Sequence, residues 1–226
     1  GSTVGADLAP GVDPAHVGIY GSALRLIEKT TPDTIGSFKL PDLDPGSAIR
    51  SFEVKFSLIL DTPAEGNAGE GLSLNFGRIP QDNGTGENGF APLPGGLTVV
   101  FDPGNGAEEL PVIEVRVGGV SIGSFPARFS FGSASRIYTI HWDSGGLDIS
   151  QSRTVYCADF PTPGFSPSVG NTFAFTARTT SATMDVLIDN LSVVTDPLPA
   201  IETGGPVISE FVADNTEFED EFADKP

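Results

Sequence analysis

The chain is short of the side chains on which most enzyme chemistry depends. It has one cysteine, Cys157, which excludes an internal disulfide, and two histidines, His16 and His141. A Ser–His–Asp or Cys–His apparatus therefore has almost no parts. No Gly-x-Ser-x-Gly elbow, His-Glu-x-x-His helix or phosphate-binding glycine loop occurs. Basic residues are scarce too: 12 Lys and Arg stand against 30 Asp and Glu, for a net charge of -18. Such a chain repels nucleic acid and anionic lipid, and neither is expected as a partner. The acidity suits binding of cations, or serves solubility alone. No run of 18 apolar residues occurs, so no transmembrane helix and no membrane insertion is expected. No signal peptide is present, and Gly1-Ser2 reads as a tag remnant, so the chain is expected to be part of a longer protein.

What the chain has in quantity is turn formers and phenylalanine. Its 28 glycines and 19 prolines make up about a fifth of 226 residues, and 16 phenylalanines supply large apolar surfaces. Many turns and few helices follow. Residues 49–60 alternate with a period of two: Phe52, Val54, Phe56 and Leu58 on one face, Glu53, Lys55 and Ser57 on the other. Further strand signals cover 22–27, 35–40, 72–76, 97–101, 112–117, 120–125, 135–142, 153–157, 171–178 and 184–194. Gly118-Gly119 reads as a two-residue hairpin turn. Pro41 to Gly46 reads as a turn, and 77–96 as a long Gly-, Pro- and Asn-rich loop of the kind that carries function. No segment has helical periodicity. The fold class is all-β, a two-sheet antiparallel jelly-roll sandwich. It is expected over residues 17–195, with an N-terminal arm over 1–16 and a linker and acidic tail over 196–226. Within the tail, 210–224 hold seven acids, and 206–212 form a candidate strand. That tail is either disordered or a detached strand that pairs with something.

Several stretches together resemble a known group: Gly71-Leu-Ser-Leu-Asn-Phe-Gly77, Gly96-Leu-Thr-Val-Val-Phe-Asp-Pro-Gly-Asn-Gly106, Ile113-Glu-Val-Arg-Val-Gly-Gly119, Gly170-Asn-Thr-Phe-Ala-Phe-Thr-Ala-Arg-Thr179 and Ile188-Asp-Asn-Leu191. They resemble the concanavalin A-like, laminin-G-like jelly-roll domains of large secreted bacterial proteins, and more distantly the L-type lectins. Val207-Ile-Ser-Glu-Phe-Val-Ala-Asp-Asn215 resembles the opening of a bacterial lamin-tail domain. The resemblance implies a secreted, extracellular or cell-surface setting.

In L-type lectins a strand ending in Phe-Asp leads into a calcium loop. Carried over, the likeness implies one Ca2+ site with Asp102, Asn105 and Glu109 as side-chain ligands, Gly104 lending its carbonyl, and Glu108 as the alternate to Glu109. Calcium takes six to eight oxygens, which such a loop can wrap. Asp102 can equally hold a turn with no metal, as aspartates do. The lectins carry an acid two residues before this aspartate for a second metal; Val100 stands there, so no second site is expected. Their sugar-binding aspartate matches Glu70 in Ala68-Gly-Glu-Gly71. Asn75, Arg78, Asn88 and Phe90 lie in or near the same loops and complete the candidate ligand-binding set, against a reading as ordinary surface. Trp142 is read as core in preference to a sugar-stacking platform, His141 as surface, and Cys157 as a buried inert thiol in preference to a nucleophile.

Glucanases on this fold carry two carboxylates in a Glu-x-Asp-x-x-Glu run on one strand, and no strand here shows it. The expectation is therefore a non-catalytic extracellular module, not an enzyme, that binds a polysaccharide or other glycan with calcium. The alternative is an assembly module of a filament or surface layer, self-associating through residues 206–212. A third reading is a passive spacer.

Overall fold

The computed structural model describes residues 18–62, 69–80, 93–104 and 109–198. The expected arm over 1–16 and the tail strand over 206–212 lie outside these residues. Thirteen strands and no helix are found among them: β1 (Gly18–Tyr20), β2 (Ala23–Ile27), β3 (Ile35–Lys39), β4 (Ile49–Asp61), β5 (Gly71–Gly77), β6 (Leu97–Asp102), β7 (Val112–Val117), β8 (Val120–Pro126), β9 (Arg136–Asp143), β10 (Gly146–Gln151), β11 (Thr154–Phe160), β12 (Thr172–Arg178) and β13 (Asp185–Pro197). They form two antiparallel sheets, a seven-stranded one in the order β1-β2-β13-β4-β9-β10-β11 and a six-stranded one in the order β3-β12-β5-β6-β7-β8. This is the jelly-roll sandwich, and β13 carries it to Pro197, past the expected boundary at residue 195.

The period-two pattern of β4 decides which face is inside. Phe52, Val54, Phe56 and Leu58 are buried, while Glu53 and Lys55 are exposed. Ser57 departs from the pattern. It is buried on the outer face, where Asn190 Nδ2 donates to its Oγ at 3.3 Å. Asn190 sits at a break in the β4–β13 register with φ of 51°, a left-handed conformation that asparagine tolerates.

Aromatic rings run through the space between the sheets. Phe52 meets Phe76 and Phe173 edge to face at 4.9 and 5.2 Å, and Phe56 meets Phe101 and Phe175 at 5.8 and 5.1 Å. Burying each such ring contributes about 2–3 kcal/mol, so this seam is the main apolar term holding the sheets together. Trp142 belongs to it, as expected: it stacks on Phe52, packs against Phe165, and donates its indole N–H to Thr162 Oγ1 at 2.9 Å. Cys157 is buried in the same layer, its thiol donating to the Leu147 carbonyl at 3.4 Å. Burial pushes that thiol up to about 11.

The turns follow their sequences. Val117 pairs with Val120 across Gly118-Gly119, both at positive φ, as a type I′ turn requires. In the turn over 41–46, Asp44 N–H donates to Asp42 Oδ1 at 3.0 Å.

Candidate functional site

One end of the six-stranded sheet gathers the acidic residues singled out in the sequence. β5 begins there, while β6 and β12 end there. Gly71 lies opposite Arg178, and Leu72 opposite Phe101. The approach at Gly71 is tight: with φ of +99°, a Cβ there would stand 2.2 Å from the Phe101 carbonyl oxygen and 2.9 Å from Pro103 Cδ. Only glycine allows it. Glu70 is thereby held against the segment that leads into the acidic loop. Gly69 is tucked in behind, where a Cβ would meet Thr179 Cγ2 at 3.2 Å and Met184 Cγ at 3.3 Å.

Asp102 is half-buried, and its Oδ1 accepts the Gly104 N–H at 2.8 Å. This is the turn-stabilising contact weighed from the sequence, and it leaves Asp102 Oδ2 outside that turn. Gly104 has φ of +71°, and a Cβ on it would lie 2.4 Å from the Glu109 carbonyl oxygen. Gly104 and Glu109 thus meet at the mouth of the loop. Asn105 and Glu108 lie outside the described residues. Among the described residues no group of three or more His, Cys, Asp or Glu side chains is placed to hold a metal ion. Asp102, Gly104 and Glu109 fit calcium's preference for oxygen, but they fall short of six to eight ligands.

The candidate ligand-binding set divides. Glu70 stays at the acidic end. Asn75 is corrected from a ligand contact to a structural amide. It is buried mid-strand on the sheet face turned away from the phenylalanines, donating to Ser73 Oγ at 2.8 Å and accepting from Thr98 Oγ1 at 2.9 Å. Thr176 Oγ1 joins this cluster, 2.7 Å from Ser73 Oγ. An amide whose groups are already engaged across three strands is not available to a ligand. Arg78 follows the far end of β5, about 26 Å of extended chain from Glu70. Asn88 and Phe90 lie outside the described residues. His141 is half-exposed on the outer face of the seven-stranded sheet, its Nδ1 3.2 Å from Asp148 Oδ2.

Arg178, to which the sequence reading gave no role, comes to the site. Its Nε stands 3.5 Å from Glu70 Oε2, with both side chains largely shielded from solvent. The signal was present in the Phe-Ala-Phe-Thr-Ala-Arg run: a cation closing an apolar strand in a chain with few cations.

Strand order and the paired sheets define the concanavalin A-like lectin fold. Among solved structures, the Ca2+-bound form of the VIP36 exoplasmic/lumenal domain superposes with a TM-score of 0.67 at 16% identity, covering 84% of this chain and 89% of that one. A basic winged bean lectin with Tn-antigen gives 0.63 at 19% identity, over 85% and 91% of the two chains. The carbohydrate recognition domain of Emp47p gives 0.60 at 14% identity, over 79% and 85%. At these identities the likeness is one of fold. No protein-family profile matches the sequence. No curated protein matches it either.

Proposed function

We propose that the chain is a non-catalytic, extracellular carbohydrate-binding module, with one calcium ion held at the loop over 102–109 and Glu70 as the sugar-contacting carboxylate. The observation that carries this reading is the packing of Gly71 onto Phe101 and Pro103, which holds Glu70 against the segment that leads into that loop. Asp102 and Glu109 would supply carboxylate oxygens and Gly104 a carbonyl; Asn105 and water would complete the shell. Calcium there would fix the loop and add a positive centre for sugar hydroxyl oxygens. Support comes also from the solved neighbours, which include VIP36 with Ca2+ and Man3GlcNAc bound. A glycan array with and without chelator tests the proposal. Binding that disappears on chelation, and in Asp102→Ala, is expected; no binding to any glycan in calcium would sink it.

A second reading, assembly through residues 206–212, draws on one feature. β2 covers β13 only from Val186 to Ile188, so among the described residues the half of β13 beyond Asn190 pairs with β4 alone. Leu191 and Val193, on the core-facing side of that half, are only partly buried. An added strand would cover them. Light scattering decides: oligomers that vanish when residues 199–226 are removed support assembly, and a strictly monomeric full chain overturns it.

A further inference from the structure

The Glu70 side chain is 13% exposed, yet its Oε2 is buried and has no hydrogen-bond partner among the described residues. A buried carboxylate oxygen without a donor is costly, more so than a neutral group in the same place. The charge beside it is the Arg178 guanidinium, at 3.5 Å. Arg178 is itself fixed: it is the last residue of β12 and lies opposite Gly71, the residue after Glu70. Glu70 therefore precedes the residue that faces Arg178 across the sheet, and the tight packing of Gly71 gives Glu70 little backbone freedom to move away.

We propose that Arg178 is the positioning residue of the binding site. It holds Oε2 of Glu70 inward and leaves the other carboxylate oxygen to serve as the acceptor for a ligand hydroxyl. The inference rests on the glycan-binding reading above. It adds to that reading a residue that need not touch the ligand. Without the guanidinium, the inward oxygen has no compensating charge among the described residues, and the carboxylate turns out toward water. Lysine keeps the charge but loses the planar fork, so it restores position only in part.

The test uses the calcium-loaded full chain and immobilised mannan as probe, followed by the rest of the polysaccharide panel if mannan is not bound. Arg178→Met is expected to weaken binding at least about tenfold, a change of about 1.4 kcal/mol. Arg178→Lys should recover most of it, and calcium affinity should stay unchanged in both. Thermal unfolding of each variant separates this from misfolding, and the lysine variant keeps the test open should the methionine variant fail to fold. Wild-type binding with Arg178→Met equally tight would overturn the positioning role and leave the glycan reading intact. Equal loss in the lysine and methionine variants, with both folded, would also overturn it. No binding by the wild type to any polysaccharide removes the glycan reading and this inference with it.

Discussion

Asn75 shows how a single residue can be read correctly as important and wrongly as exposed. It entered the ligand-binding set because it lies in or near the loops around Glu70, against a reading as ordinary surface. Here the second face of the sheet is buried too, and Ser73, Asn75, Thr98 and Thr176 satisfy one another across it. Sequence alternation reports one covered face and is silent about a second. Asn75→Ala strands several partners at once and is expected to cost about 2 kcal/mol in urea unfolding. The lone thiol gives a second prediction. Desolvation first, with the nearby Asp148 charge, raises Cys157 from an ordinary value of 9.0 to about 11, and burial likewise raises Tyr138. Both are acids that hold their protons more tightly in the folded chain. Well below pH 9 they are neutral in both states and contribute no pH dependence; as pH climbs through 9 toward 11 the unfolded chain releases the thiol proton first, so stability falls. The urea midpoint should drop across that window, and native Cys157 should resist iodoacetamide at pH 8 until the chain is unfolded.

At the scale of elements, eleven strands were legible because phenylalanine, valine, isoleucine and leucine alternate with polar residues between glycine and proline turns. The two that were missed lack that contrast. β1 is three exposed residues on a sheet edge, and β10 has only Leu147 and Ile149 to set against Asp148, Ser150 and Gln151. β10 forms because its neighbours are fixed: Gly146 pairs with Asp143 across a two-residue turn, in which Asp143 Oδ1 accepts the Gly145 N–H. The acidic end of the site was legible in part, through Phe-Asp and Gly-Glu-Gly; Arg178 was not, since only cross-strand register brings it opposite Gly71. The start of β5 offers a sharp test. Gly71→Ala would force a Cβ into the Phe101 carbonyl at an unfavourable φ, and is expected to cost about 2 kcal/mol or more in chemical denaturation. Ala at Gly21, where a Cβ would meet nothing within 4 Å, carries the backbone strain without the clash and should cost less.

At the scale of the whole molecule, the proposed calcium site is a stability lever. A cation bound by the folded chain alone raises stability by about 2.7 kcal/mol at a hundredfold excess over its dissociation constant. The melting temperature should therefore climb with calcium, fall on chelation, and not respond in Asp102→Ala; an identical melt with and without calcium would count against the site.

The order of the seven-stranded sheet bears on how the chain comes into being. β13, the last of its strands to be made, is not at an edge but between β2 and β4, and Val54 finds its partner in Val193. A nascent chain from which β13 has not yet emerged has a sheet split down its middle, with no local contact able to stand in for the missing strand. The seven-stranded sheet therefore closes only once β13 has emerged, and assembly of the sandwich waits for that strand.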